Sequence, residues 1–173
     1  MTRLLTLGRN EPRKYKEKRM IKQLAIVLAV CASFTTLAFQ EGEAVTESVA
    51  KGLKLEPDQL TIVDFFAEWC VSCRHELPIV NQLYSELSGT GVTFVGVDVD
   101  EYIVVGLEFQ KSLGLSFPVV NDPKQQLIAK FKPVGMPALY YVYQGQVLKV
   151  RFGAITDIRS VILDDLTQMG VRL

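Results

Sequence analysis

The sequence predicts an α/β domain with a mixed central sheet flanked by helices. Three observations carry this expectation. A β-branched and aromatic run, Thr61–Phe66, leads into a stretch with helical apolar spacing, Val71–Leu87, and then into a second apolar run, Val92–Val99. A strand–helix–strand unit of this kind favours parallel pairing. Nearer the C-terminus, Ala138–Tyr143 and Val147–Phe152 are separated only by Gln144-Gly145-Gln146, a hairpin spacing that favours antiparallel pairing.

The elements follow in order. Residues 41–57 are polar and charged and read as a linker or N-terminal extension, with a short helix within Val45–Leu55 and a turn at Pro57-Asp58. Thr61–Phe66 has strand composition. Within Val71–Leu87 the residues Leu77, Val80, Leu83, Tyr84 and Leu87 fall on one side of a helix, and Gly89 and Gly91 end it. Pro78 falls inside that helix, where it favours a kink. Val92–Val99 is apolar enough to be buried on both faces. Tyr102–Leu113 is a helix stopped near Gly114, and Phe117–Val120 is a short extended segment. Pro123–Phe131 is a short helix capped by Asn121 or Asp122. After the hairpin, Thr156 caps a last helix, Asp157–Met169, which Gly170 terminates.

Charge divides the chain. Residues 1–40 carry eight Lys/Arg and two acids, a net +6, and the remainder carries −6. A basic head on an acidic body argues against nucleic-acid binding by the body. With 49% apolar residues the body has enough material for a packed core. The basic head precedes an uncharged run whose apolar part, Leu24–Phe39, is 16 residues long. As a helix it spans roughly 24 Å, against about 30 Å of hydrocarbon. Thr36-Leu37-Ala38 resembles a small-x-small cleavage site, and Met20 offers a second start that leaves a signal peptide of ordinary length. Residues 1–40 are therefore expected to be a cleaved signal peptide or a retained membrane anchor. Either one places the body on the far side of a membrane, periplasmic or otherwise extracytoplasmic. Residues 58–173 form the domain.

The chemistry is concentrated in Trp69-Cys70-Val71-Ser72-Cys73. Two cysteines at this spacing can close a small disulfide ring or supply half of a metal site. Cys70 falls where a strand stops and a helix begins, and there unpaired N–H groups and the helix dipole favour a thiolate. A thiol so placed ionises below the free value of about 8.5, which points to thiol–disulfide exchange. Cys31 lies in the apolar N-terminal run, so only Cys70 and Cys73 belong to the body. Two are too few for a disulfide scaffold, and a redox pair is the better reading. Zinc needs about four ligands, and His75 is the only further soft ligand in the body, so neither a metal nor a cofactor is expected.

The motif, the element order and the segment Val63-Asp64-Phe65-Phe66-Ala67-Glu68-Trp69-Cys70 resemble the thioredoxin fold over about residues 58–172. Cys73-Arg74-His75-Glu76-Leu77-Pro78 and the inserted Leu115–Lys124 segment are more similar to exported thioredoxin-like reductases of the TlpA/ResA type. Gly135-Met136-Pro137 ahead of a strand resembles that family's cis-proline loop. The resemblance implies a thiol–disulfide oxidoreductase in which Cys70 attacks a protein disulfide and Cys73 resolves the mixed disulfide. It implies that Asp64, on one strand face with Ile62 and Phe66, is a buried base for Cys73. An exposed edge-strand charge is the alternative. Glu76 is an acid near the pair or else a solvated helix charge, and His75 and Glu68 are surface residues. Trp69 packs beside Cys70 and shields the disulfide, or simply fills core. Met136 and Pro137 present backbone to an extended substrate. Val71-Ser72 replaces the Gly-Pro of ordinary thioredoxin and adds an N–H and a hydroxyl that can stabilise thiolate, which leaves the direction of electron flow open. Protein disulfides are the expected substrates, with a membrane thiol donor and with cytochrome c maturation as one task. A general disulfide oxidase and a redox-inert binding module are the alternatives.

Overall fold

The computed structural model describes residues 39–173, so the expectations for the export segment lie outside the described residues. Ten elements follow in order: α1 (Glu47–Leu53), β1 (Leu60–Phe66), α2 (Val71–Glu86), β2 (Val92–Asp98), α3 (Ile103–Ser112), β3 (Val119–Asn121), α4 (Ile128–Phe131), β4 (Ala138–Tyr143), β5 (Gln146–Phe152) and α5 (Ile158–Gln168). The strands form one sheet in the order β3-β2-β1-β4-β5. β1 pairs in parallel with β2, and β2 with β3, while β4 runs antiparallel to β1 and to β5. The sheet is mixed, as expected. Among the described residues no helix is long and apolar enough to cross a membrane.

β1 sits at the centre and is buried along its whole length. Alternation along the strand divides its side chains between two apolar layers. Ile62 and Phe66 join Cys70, Cys73, Leu77, Val80 and Leu83 on one side, together with Ile158, Ile162 and Leu166 of α5. Val63 and Phe65 join Val49, Leu53, Phe131 and Tyr140 on the other. The helical spacing expected for α2 is realised, with Leu77, Val80, Leu83 and Leu87 buried and Tyr84 edge-on to Phe94 and Phe117. Each fully buried Leu contributes about 1.5–3 kcal/mol relative to exposure.

Several boundaries differ from the sequence reading. The stretch read as a linker or N-terminal extension, 41–57, packs onto the domain, and the short helix expected within it is α1. Gly42 N–H donates to Val147 O (2.7 Å), Val147 N–H donates to Glu43 O (2.9 Å), and Val45, Val49 and Leu53 are buried. Its apolar positions are sparse but aligned on one side, which charge density alone conceals. The helix expected over Pro123–Phe131 is helical only from Ile128, because the Asp122 carboxylate gathers the N–H groups of Gln126, Leu127 and Ile128 into a turn. The last helix is capped by Asp157, not Thr156, with the Asp157 carboxylate accepting from Ser160 N at 3.1 Å. An ionised acceptor satisfies an N-terminal N–H better than a hydroxyl does. The hairpin turn is the pair Gln144-Gly145, both with positive φ (49° and 72°), as a two-residue turn between twisted strands requires.

Gly96 in β2 is fixed by close packing rather than by backbone conformation. A Cβ there would stand 2.7 Å from Phe66 Cε1 and 2.9 Å from Phe117 Cε2. Gly96→Ala is expected to cost about 1–3 kcal/mol through overpacking. The cost would be read as a lower urea midpoint with an unchanged slope.

Candidate active site

Cys70 is the N-cap of α2, just past the C-terminal end of central β1. Its sulfur accepts the Cys73 N–H at 3.3 Å and lies 3.6 Å from Ser72 Oγ. Cys70 and Cys73 are joined as a disulfide with a Cα–Cα distance of 5.3 Å. Cys70 is 6% exposed and Cys73 is fully buried, so attack from solvent can reach only the first. One helical N–H already points at the Cys70 sulfur, and the same N–H would stabilise a thiolate there.

The turn that presents Cys70 is tied down by acids the sequence reading did not single out. Asp100 Oδ2 accepts from Glu68 N (2.8 Å), Asp98 Oδ1 accepts from Asp100 N (2.9 Å), and Gln110 Nε2 donates to Asp98 Oδ2 (2.6 Å). The loops after β1 and β2 are thereby locked together, and Gly106 lets α3 lie against Asp98. Asp98 in an apolar run carried the same signal as Asp64 and could have been found by it. Burial raises the Asp98 carboxyl above its ordinary value. Glu68 and Arg74 pair at 2.7 Å on the rim, and the Arg74 guanidinium lies over Phe109.

Asp64 is on the central strand and only 3% exposed, so the edge-strand alternative does not hold. It shares the sheet face that carries Ile62 and Phe66, on the side of the cysteines. Its Oδ1 has no hydrogen-bond partner. Burial, and secondarily the charge of Glu76, push its carboxyl well above the usual carboxylate range. Glu76 is also buried, not solvated. Its Oε1 accepts the Ile155 N–H at 2.8 Å and its Oε2 has no partner. Burial raises this carboxyl too, partly offset by the Ile155 hydrogen bond. Two neighbouring buried acids thus both favour a protonated form.

The Met136–Pro137 bond is cis. Pro137 opens β4, and the pairing of Ala138 with Phe65 sets it at the same sheet end as Cys70. Met136 is half-buried and packs against the layer that contains both cysteines. Trp69 is 63% exposed, so the core-packing alternative does not hold for it. Val71 and Val134 are also exposed, while His75 lies at the surface as expected.

Comparison with known proteins agrees with this geometry. A family model described as AhpC/TSA family matches residues 30–151. The thiol-disulfide oxidoreductase ResA of Oceanobacillus iheyensis is 26% identical over 176 residues, covering 88% of this chain and 92% of that protein. ResA of Bacillus subtilis is 26% identical over 161 residues, covering 83% and 90%. Among solved structures, StoA from Bacillus subtilis superposes with a TM-score of 0.57 at 26% identity, covering 66% of this chain and 86% of that one. A thioredoxin family thiol:disulfide interchange protein from Chlorobium tepidum gives 0.56 at 26%, covering 76% and 94%. The chain therefore belongs to the AhpC/TSA family, has the thioredoxin fold, and is by class a thiol–disulfide oxidoreductase.

Proposed function

We propose that the protein is an extracytoplasmic reductant of protein disulfides, delivered or anchored by residues 1–40 and recharged by a membrane thiol donor. Cytochrome c maturation, in which cysteine thiols must be kept reduced, is one such task. Cys70 attacks the substrate disulfide, forming one S–S bond as the substrate's own breaks. Asp64 takes the Cys73 proton, and the Cys73 thiolate then displaces the substrate from Cys70. Glu76 raises the affinity of the ionised Asp64 carboxylate for that proton and so strengthens it as a base. Trp69, Met136 and Pro137 form the surface on which an extended substrate segment lies.

The observation that supports this direction of electron flow is the full burial of Cys73 in an apolar layer, with neutral acids nearby. Burial opposes a thiolate there, which destabilises the reduced pair and makes it a better donor. Ser72 Oγ, 3.6 Å from the Cys70 sulfur, and the Cys73 N–H, 3.3 Å from it, act the opposite way and favour an oxidase. A redox titration against glutathione separates the two. A midpoint near thioredoxin's, about −270 mV, supports the reductant, and one near about −120 mV supports the oxidase.

A further inference from the structure

The apolar layer on the cysteine side contains three buried oxygens without hydrogen-bond partners: Asp64 Oδ1, Glu76 Oε2 and Tyr141 Oη. Unpaired buried polar atoms are uncommon, and three sharing one layer call for an explanation. The register of the sheet supplies it. Tyr141 is opposite Ile62, and Asp64 is opposite Leu139, so Tyr141 and Asp64 are diagonal neighbours on one sheet face. On the far side of β4, Lys149 is opposite Tyr141 and Arg151 is opposite Leu139. These four residues form a continuous patch running from the central strand to the sheet edge.

The outer end of the patch is closed by Asp165 of α5, which is almost fully buried. It pairs with Lys149 Nζ at 2.7 Å and with Arg151 Nη2 at 2.7 Å and Nε at 3.0 Å. Both cations reach solvent. The Tyr141 phenol stands between this cluster and Asp64. Burial first, and then the carboxylates of Asp165 and Asp64, raise it above the ordinary phenol range, so it stays neutral. Burial raises the Asp165 carboxyl, but its interactions with Arg151, Lys149 and the Tyr141 hydroxyl outweigh this and lower it. The ionisable groups facing this layer are thus Asp64 on β1, Glu76 on α2, Tyr141 on β4, Lys149 and Arg151 on β5, and Asp165 on α5. Glu41, ahead of α1, faces Arg151 from outside.

We propose that Tyr141 is a positioning residue that connects Asp64 to the Lys149–Arg151–Asp165 cluster and carries its proton exchange with solvent. The inference rests on Asp64 acting as the base for Cys73. In each turnover Asp64 gains one proton from the Cys73 thiol and must lose it before the next. That proton passes to Tyr141 Oη as the phenol's own proton passes to Asp165, so the phenol is neutral before and after. Asp165, held toward its ionised form, releases the proton to bulk water. A bridging water between Asp64 and Tyr141 is part of the proposed relay, the usual link between groups beyond direct hydrogen-bond reach.

The test compares full-length wild type with Tyr141→Phe, Asp165→Asn and Asp64→Asn. Insulin reduction is followed under multiple turnover in H2O and in D2O across pH 5–9. Tyr141→Phe removes one hydroxyl and keeps the ring, so thermal unfolding and Cys70 alkylation serve as controls and are expected to stay near wild-type values. Turnover is expected to fall about 3- to 10-fold, with a larger solvent isotope effect and an altered pH profile, and Asp165→Asn is expected to reproduce these changes. Wild-type turnover, isotope effect and pH profile in either Tyr141→Phe or Asp165→Asn, while Asp64→Asn is slow, overturns the inference alone. Wild-type kinetics in Asp64→Asn overturns the base role on which it stands. If one of the two relay variants does not fold, the other decides.

Discussion

Cys70→Ser is expected to abolish disulfide reduction, lowering the insulin-reduction rate by about 10³-fold or more, to the rate without enzyme. Cys70 is the only sulfur of the pair with any solvent exposure, and it alone caps α2. No other described side chain can replace it, because Cys73 is fully buried beneath it. Cys73→Ser is expected to behave differently. It retains the attacking thiol and loses the resolving one, so mixed disulfides with substrate accumulate at Cys70. They appear as dithiothreitol-sensitive bands of higher mass on non-reducing gels. Turnover by Cys70→Ser at more than a few per cent of wild type, or no trapped species with Cys73→Ser, contradicts the assigned order of attack.

Asp64→Asn is expected to slow release of the mixed disulfide by about 10- to 100-fold while stabilising the fold above neutral pH. The two effects share a cause. A buried carboxyl with one unpaired oxygen binds its proton more tightly in the folded chain than in the unfolded one. Stability from this group is therefore fully present below the unfolded pKa, near 4, and is lost as pH rises through the raised folded value. At pH 8 the folded protein either buries an unpaired charge or pays to keep its proton. Asparagine removes that penalty and keeps the shape. Asp64→Asn is expected to gain about 1–3 kcal/mol at pH 8 and close to nothing at pH 4, measured by urea unfolding at both pH values. A gain of equal size at the two pH values, or a loss at pH 8, contradicts the assignment of Asp64 as a destabilised buried acid.

Most of the architecture was legible because it rests on local patterns. The β-branched Thr61–Phe66 run, the i, i+3, i+4 spacing of Leu77, Val80, Leu83 and Leu87, and Gly145 in the hairpin each specify their element without outside help. The cysteine pair at a strand–helix junction and the single acid in an apolar strand marked the site for the same reason. Features that depend on distant partners were not legible. Glu76 stands out only through the family resemblance; its own pattern is that of any helix surface charge until Ile155, 79 residues later, is found to donate to it. Residues 41–57 look like a linker until they meet the start of β5. Trp69 is apolar, and nothing in its local pattern records that it is exposed. The patch around Tyr141 exists only through the register of three strands and a helix, which no local pattern records.

The central claim is that Cys70 attacks as a thiolate held at the N-terminus of α2. Its most direct test is the rate of iodoacetamide alkylation of the reduced protein as a function of pH, with the modified residue identified by mass spectrometry. Modification is expected at Cys70 alone, with a midpoint below the free-thiol value of about 8.5. Alkylation of both cysteines at similar rates, with a midpoint at or above that value, would contradict it.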